Sequence, residues 1–442
     1  MPIIKVTVKF ITFVIFKIYT VRKIMNTIQN VRGTKDILPN EIYKWQKLEE
    51  TARNVSKKYG YKELRTPIFE KTEVFARGVG EGTDIVNKEM YTFADRGNES
   101  LTLRPEQTAA LVRSVIQNNL LAENPVQRLY YIGSYFRYER PQKGRFREFH
   151  QYGVECLNSP FPESDVEVIC LAISFIQQLG VTDYKLNLNS IGNENSRVNY
   201  KKVLVDFLNS HKEKLSEESK NRLEINPLRV LDSKNPVDIE IVKNAPNILD
   251  SLDEESLNHF NIVKSLLDIL QINYEINPTL VRGLDYYSHT VFEFQSTHLG
   301  AQDAFGGGGR YNSLFSELGG KDTPAVGFAM GIERLLLILE QIGNTVLEEK
   351  SEIMIISSDE KHLGFAIKVS EIIRNKLGKS CLMDLSRRSM KSQLREANKL
   401  GVKYALIIGD EEAANNSITV KYMQENKEQC LLKIEELEQA IA

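Results

Sequence analysis

Cysteine is scarce in this chain and has no pattern: Cys156, Cys170, Cys381 and Cys430 stand far apart and none forms a C-x-x-C pair. That spacing excludes a disulfide framework and a thiolate zinc site. Buried thiols in a reducing compartment follow, so a cytoplasmic protein is expected. The six histidines show no H-E-x-x-H spacing, so neither zinc nor another protein-bound transition metal is expected. Charge of one sign is also lacking. With a net charge of −2 there is no global field for nucleic acid, and any such contact must come from local patches such as Arg140, Lys143, Arg145 and Arg147. Long apolar runs are missing too. In the most apolar stretch, residues 1–24, Lys5, Lys9 and Lys17 leave Phe10 to Phe16 as the longest uncharged run, too short to span a bilayer. No small-residue cleavage site follows, and the lack of Ser and scarcity of Arg argue against an organellar presequence. Residues 1–24 therefore read as a leader outside the fold, with a conventional start at Met25; an added edge strand is the alternative.

What is present is the composition of an ordinary soluble protein, 42% hydrophobic and 26% charged over 442 residues. Such a length implies two or three domains. The strand-rich pattern of residues 25–345 is interrupted at about 192–262 by charge-dense helical stretches, Arg197 to Phe207, Glu217 to Leu223 and Pro246 to Phe260, which read as an inserted module. Residues 351–442 alternate strand and helix, with a last helix from about Lys433, as a separate α/β domain would.

The most informative stretch is RLYYIGSYFRYERPQKGRFREFHQYGVEC, from Arg128 to Cys156. Its β-branched and aromatic ends predict two antiparallel strands joined by a basic loop. On the second strand Gln151, Gly153 and Glu155 share a face. The missing side chain at Gly153 leaves room for a small molecule between an amide and a carboxylate. Arg137 ends the first strand, where a guanidinium can hold phosphate bidentately. A solvated hairpin with one buried face is the plain alternative.

Other stretches qualify that alternative. In YGYKELRTPIFE, residues 59–70, Pro67 confines its strand to an edge, and an edge needs covering, so a subunit interface is expected there. LTLRPEQTAALVRSVIQ, residues 101–117, predicts a strand entering a helix, with Glu106 and Thr108 at the junction; Glu106 either caps the free N–H groups or receives an ammonium. In LVRGLDYYSHTVFEF, residues 280–294, Arg282, Tyr286 and Tyr287 either face one pocket or pack in the core. FGGGGRYNSL, residues 305–314, implies backbone close to a ligand or to another strand. Arg334, in the first turns of a helix, is disfavoured by the helix dipole and calls for an anionic, aromatic or glutamate partner. Arg387, Arg388 and Lys391 precede a helix in the last domain, as a phosphate site or as a solvated turn.

From about Val31 onward these stretches together resemble the histidyl-tRNA synthetase family of class II aminoacyl-tRNA synthetases. RGTKDILP is similar to the family's lead-in, Tyr59 to Phe69 to motif 1, FRYERPQKGRFREFHQYGVE to motif 2 and AVGFAMGIERL to motif 3. LVRGLDYYSHTVFE resembles the histidine-specific segment, and RGLDYY with FHQYGVE is the most specific combination. The resemblance implies an α+β fold: an antiparallel-sheet catalytic core flanked by helices, a helical insertion, and a C-terminal α/β anticodon-binding domain.

The resemblance also implies roles. ATP-dependent ligation of L-histidine to tRNA(His) would pass through a histidyl-adenylate, releasing pyrophosphate and AMP. Glu106, Thr108 and Gln151 would receive the ammonium of histidine, and Glu155 and Tyr287, with Tyr286 alongside, would read its imidazole. Arg137 and Arg282 would hold the ATP α-phosphate and carry the catalysis, and Arg334 the γ-phosphate. Mg²⁺ would accompany ATP. Arg140 and Gln142 resemble acceptor-stem contacts, and a homodimer without membrane contact is implied. Gln107 stands where the family often has glycine, and Asn312 where an aspartate is common, which puts any charged role at that position in doubt. The regulatory subunit of ATP phosphoribosyltransferase shares this fold, and a pure binding module is a third reading. Arg137, Arg282 and Arg334 beside an anticodon-type domain argue against both.

Overall fold

The computed structural model describes residues 27–80, 82–300, 303–344, 348 and 350–441. The leader and Met25 lie outside these described residues. Two compact units result, Met1–Val346 and Leu347–Ala442.

The first unit contains strands β1 Lys62–Glu63, β2 Phe69–Lys71, β3 Tyr91–Ala94, β4 Ser100–Leu103, β5 Gln127–Phe136, β6 Glu148–Leu157, β7 Lys185–Ser190, β8 Glu275–Ile276, β9 Ser288–Gln295, β10 Ala304–Tyr311 and β11 Ala325–Gly331. Eight of them form one sheet in the order β1-β5-β6-β11-β10-β9-β7-β8, and β2-β4-β3 form a small second sheet. The long inner strands pair antiparallel, and only the two-residue outer strands β1 and β8 pair parallel. This is the antiparallel-core α+β class that the family resemblance implied.

Side-chain alternation gives the sheet one dry face. Tyr152, Val154 and Cys156 of β6 and Val326, Phe328 and Met330 of β11 join Val168, Ile169, Ala172 and Ile176 of the helix Pro162–Gln178 in one buried core. That helix forms here because Pro162 opens its first turn, acidic Glu163 and Asp165 face its positive end, and its apolar residues recur at helical spacing. Each large apolar side chain buried in this way contributes roughly 1.5–3 kcal/mol. The alternate residues of the same strands are left to build the opposite face, which holds the candidate site.

The four glycines of β10 lie inside the sheet. A Cβ on Gly308 would sit 1.9 Å from the Gly327 carbonyl oxygen, and one on Gly309 2.4 Å from that of Thr290. Close strand approach explains the run.

The insertion holds helices Glu194–Ser210, Glu217–Ile225, Pro236–Val242 and Glu254–Ile269. Asn193, Ser216, Asn235 and Asp253 cap them, each side chain accepting a first-turn N–H. The helix expected from Pro246 begins only at Glu254, because Asn247 and Asp253 first cap a short 3-10 turn, Ile248–Ser251, and then the helix. Pro67 falls between β1 and β2 and belongs to neither, although β1 is an outer strand.

The second unit contains β12 Ile353–Ser357, β13 Cys381–Met383, β14 Tyr404–Ile408, β15 Ser417–Tyr422 and β16 Cys430–Lys433, ordered β13-β12-β14-β15-β16. Helices Leu363–Asn375 and Met390–Leu400 bury one face of each against it. Lys433 both ends β16 and caps a 3-10 turn, Ile434–Glu436, that runs into the final helix Leu437–Ala440, so the helical start lies where expected and the strand before it is the addition. Four strand residues beside β15 are too short a run for the alternation to show.

Candidate functional site

Register across the sheet builds the floor of the site. Tyr131, Gly153, Ala329, Gly307 and Glu293 face one another on β5, β6, β11, β10 and β9. The next row is Leu129, Glu155, Gly327, Gly309 and Val291. Small residues at the centre of both rows leave a trough, and larger ones close its ends.

The space over Gly153 is not free, contrary to the reading of the sequence. The Tyr131 ring leans across it, so that a Cβ there would lie 2.4 Å from the phenol oxygen. Gly327 is the glycine that makes room, because the Glu155 carboxylate lies directly over it.

Glu155 is 2% exposed and accepts hydrogen bonds from Thr108 Oγ1 at 2.8 Å, Tyr311 Oη at 2.8 Å and Tyr131 Oη at 3.3 Å. Burial carries its pKa up to about 8 against the pull of these hydroxyls. Glu106 is buried at the start of the helix Thr108–Gln117 and accepts the N–H of Thr108 at 2.6 Å and of Ala109 at 2.9 Å. It caps, and burial still raises its pKa. Gln107 donates to Thr66 Oγ1 at 3.0 Å and accepts from Tyr135 Oη at 3.1 Å; the residue that departs from the family's glycine thus ties this junction to β5 and leaves the Glu106 carboxylate in place. The rings of Tyr286 and Tyr287 are 4.7 Å apart, and Tyr286 packs edge-on to Tyr311 at 5.3 Å.

Glu106, Thr108, Gln151, Glu155, Tyr286, Tyr287, Arg137 and Arg282 all line one cavity of about 190 Å³. A second cavity of about 250 Å³ adjoins it, lined by Arg137, Arg145, Arg282, Glu293, Glu333 and Arg334 among others. Arg137, Gln151, Arg282, Gly307 and Ala329 line both. Arg137 lies one residue beyond β5, where its Nε donates to the Pro105 carbonyl at 2.9 Å and its guanidinium sits over Phe149. Arg282 lies over Gly307 and donates from Nη1 to Glu293 Oε2 at 2.8 Å. Burial works against its charge, and the Glu293 carboxylate together with Tyr287 outweighs it, so the guanidinium is held above its ordinary pKa. Arg334 has its pKa lowered to about 10 by burial and by the neighbouring Arg145. Two adjacent guanidiniums in a half-buried cavity make a site for a polyanion.

Arg140 and Gln142 are exposed on the loop between β5 and β6 and line neither cavity. In the second unit Arg387 and Arg388 line a separate cavity of about 220 Å³, and each pairs with a carboxylate, Glu360 and Asp384. Sequence reasoning missed Tyr131, Tyr311 and Glu293. A lone acid between Phe292 and Phe294 was the available signal for Glu293.

The family profile described as Histidyl-tRNA synthetase matches residues 33–335, and one described as Anticodon binding domain matches residues 351–442. A histidine–tRNA ligase of Gloeothece citriformis is 49% identical over 415 residues, covering 94% of this chain and 96% of the relative. The apo histidyl-tRNA synthetase of S. aureus superposes with a TM-score of 0.79 at 37% identity, over 94% of this chain and 99% of that one. A Bacillus halodurans protein described as ATP phosphoribosyltransferase regulatory subunit/histidyl-tRNA synthetase shares the fold, with a TM-score of 0.61 at 22% identity over 84% of this chain and 96% of that one. The chain therefore belongs to the histidyl-tRNA synthetase family and is an enzyme of the aminoacyl-tRNA synthetase class.

Proposed function

We propose that this enzyme joins L-histidine to tRNA(His) through a histidyl-adenylate, releasing pyrophosphate and then AMP. The observation that carries the reading is the pair of joined cavities, a carboxylate- and phenol-lined one and an arginine-lined one that share Arg137, Gln151 and Arg282. Amino acid in the first and triphosphate in the second would meet at that shared wall.

In this reading Glu106, Thr108 and Gln151 receive the ammonium. Glu155 and Tyr287, with Tyr286 beside it, read the imidazole, whose one donor and one acceptor separate it from other side chains. Arg137 and Arg282 hold the α-phosphate from two sides while the histidine carboxylate attacks phosphorus and pyrophosphate leaves. Arg334 holds the γ-phosphate end. A terminal ribose hydroxyl of tRNA then attacks the activated carbonyl, and AMP leaves. Positioning and charge neutralisation do the catalysis, so no covalent nucleophile is called for.

Mg²⁺ would arrive with ATP and neutralise phosphate charge. Among the described residues no three His, Cys, Asp or Glu side chains gather to cage an ion. Glu139, on the nucleotide side, fits an ion whose main ligands are phosphate and water. Arg140 and Gln142 would meet the acceptor stem, and the second unit the anticodon. The working form would be a cytoplasmic homodimer. Among the described residues no helix is long and apolar enough to cross a membrane.

Histidine-dependent exchange of pyrophosphate into ATP tests the reading. Wild type should catalyse it, and Arg282→Ala should lose it while still binding histidine. A fully active Arg282→Ala would remove the phosphate assignment.

A further inference from the structure

The inserted module reaches the active-site loop through one side chain that no reading of the motifs assigns. Arg197, in the first turn of the helix Glu194–Ser210, donates from Nη1 to the main-chain carbonyl of Tyr287 at 3.0 Å and toward that of Asp285 at 3.5 Å. These carbonyls bracket Tyr286, so one guanidinium holds the short segment from which both phenols enter the cavity. We propose that Arg197 is a positioning residue for amino-acid recognition, fixing where Tyr286 and Tyr287 stand; the inference rests on the function proposed above.

The clamp has a rigid base. The first turn that carries Arg197 is stitched to the start of the helix Glu254–Ile269 in both directions. Asn193 donates its backbone N–H to Ser256 Oγ at 3.1 Å, and Asp253 its own to Ser196 Oγ at 2.9 Å. Each of Asn193 and Asp253 also caps its own helix, and the Asn193 amide bonds the Asp253 carboxylate at 2.5 Å. Arg197 therefore projects from a fixed point.

A second contact bears on the same segment. Asn226 Nδ2 donates to Asp285 Oδ1 at 2.9 Å, so the module holds the loop by a side chain as well as by its carbonyls. The rings of Tyr286 and Tyr287 are packed in the core, but few other bonds hold the backbone between them: the Asp285 N–H reaches Val79 O at 3.2 Å, and β9 begins only at Ser288. On the module side lies a cavity of about 510 Å³, lined by Arg197, Lys201, Asn226, Arg229, Arg282, Asp285 and Tyr287 among others. The loop is thus a thin wall between two spaces, and an open space behind it gives no packing to replace the clamp. An ionised donor on two carbonyls is a strong tether in such surroundings.

Steady-state pyrophosphate exchange and calorimetric histidine binding, on the full-length protein with Arg197→Ala and Arg197→Lys, test this. For Arg197→Ala the KM and Kd for histidine should rise about tenfold or more, as loss of a charge-assisted tether implies, with the KM for ATP unchanged. Arg197→Lys, which keeps a charge but reaches one carbonyl, should fall between. Unchanged histidine parameters in Arg197→Ala overturn the proposal. So does an equal loss toward both substrates with a lowered Tm, which marks a merely structural role. Wild type that binds no histidine refutes the proposed function itself, an outcome distinct from either.

Discussion

Arg282 and Glu293 form an ion pair at 2.8 Å across the end of the glycine trough, with the guanidinium lying over Gly307. Both side chains are about four-fifths buried, at 21% and 19% exposure, so the pair is not a solvent-screened surface contact. Its geometry sets where the cation stands on the wall shared by the two cavities.

Glu293→Ala should consequently leave Arg282 present but unaimed. We expect the rate of pyrophosphate exchange to fall about 10- to 100-fold, the equivalent of losing a charge-assisted hydrogen bond, with little change in the KM for histidine. Steady-state exchange with each substrate varied in turn checks this. A variant at wild-type rate would show that Arg282 needs no carboxylate to stand where it does.

Glu155 makes stability depend on pH. Its folded-state pKa is raised, to about 8, from an ordinary value of 4.5. The folded protein therefore holds this proton more tightly than the unfolded chain does, and the resulting stabilisation is full below about pH 4.5 and is lost as pH rises through about 8. Glu155→Gln removes the titration. The Tm of the variant minus that of wild type should climb by about 2 °C or more between those limits, measured without substrates. A difference that is flat with pH would place the carboxyl in a wetter site than this one.

Much of the frame was legible because it is local. The β5 to β6 hairpin follows from a β-branched and aromatic run on each side of a basic loop, and the helix Thr108–Gln117 from the strand-to-helix pattern of residues 101–117. The parts that were not legible depend on who faces whom across the sheet. Tyr131 is 22 positions before Gly153 in sequence and directly opposite it in register, so no local pattern says that its ring fills the space the glycine leaves. Tyr311 reaches Glu155 from 156 positions away. Arg197 is hidden for a related reason, since its partners are carbonyl oxygens, which every residue has. Pro67 was misplaced and β16 unforeseen because short strands carry too few alternating residues to fix a boundary.

Gly308 should tolerate no side chain. A Cβ there would lie 1.9 Å from the Gly327 carbonyl oxygen and 2.6 Å from the Phe328 Cα, both main-chain atoms inside a paired sheet that cannot swing away. Gly308→Ala should cost about 3 kcal/mol or more by forcing β10 and β11 apart, read from urea unfolding or, if too severe, from loss of soluble protein. An alanine there with wild-type stability would mean that the two strands stand farther apart.

Asp165 and Arg310 offer the sharpest test of the packing beneath the site. Both are fully or almost fully buried, at 0% and 1% exposure, and Arg310 also donates to the carbonyls of Ser159 and Phe161 and to Ser164 Oγ. Burial alone would raise the Asp165 pKa, but Arg310 and His259 pull it down to about 2. Its ionised form thus stabilises the fold above an ordinary carboxyl pKa of 3.8, and that contribution is lost as pH falls through about 2. Asp165→Asn leaves a buried guanidinium without its counter-charge and should cost about 3–5 kcal/mol at neutral pH. The exposed pair Arg77 with Glu73, at 61% and 56% exposure, is the control: Arg77→Ala should change stability by less than about 1 kcal/mol. Urea unfolding of both variants at two salt concentrations separates them, because only the exposed pair is screened by salt. If Asp165→Asn proved as mild as Arg77→Ala, water would have to reach Arg310, and the buried cluster described here would be wrong.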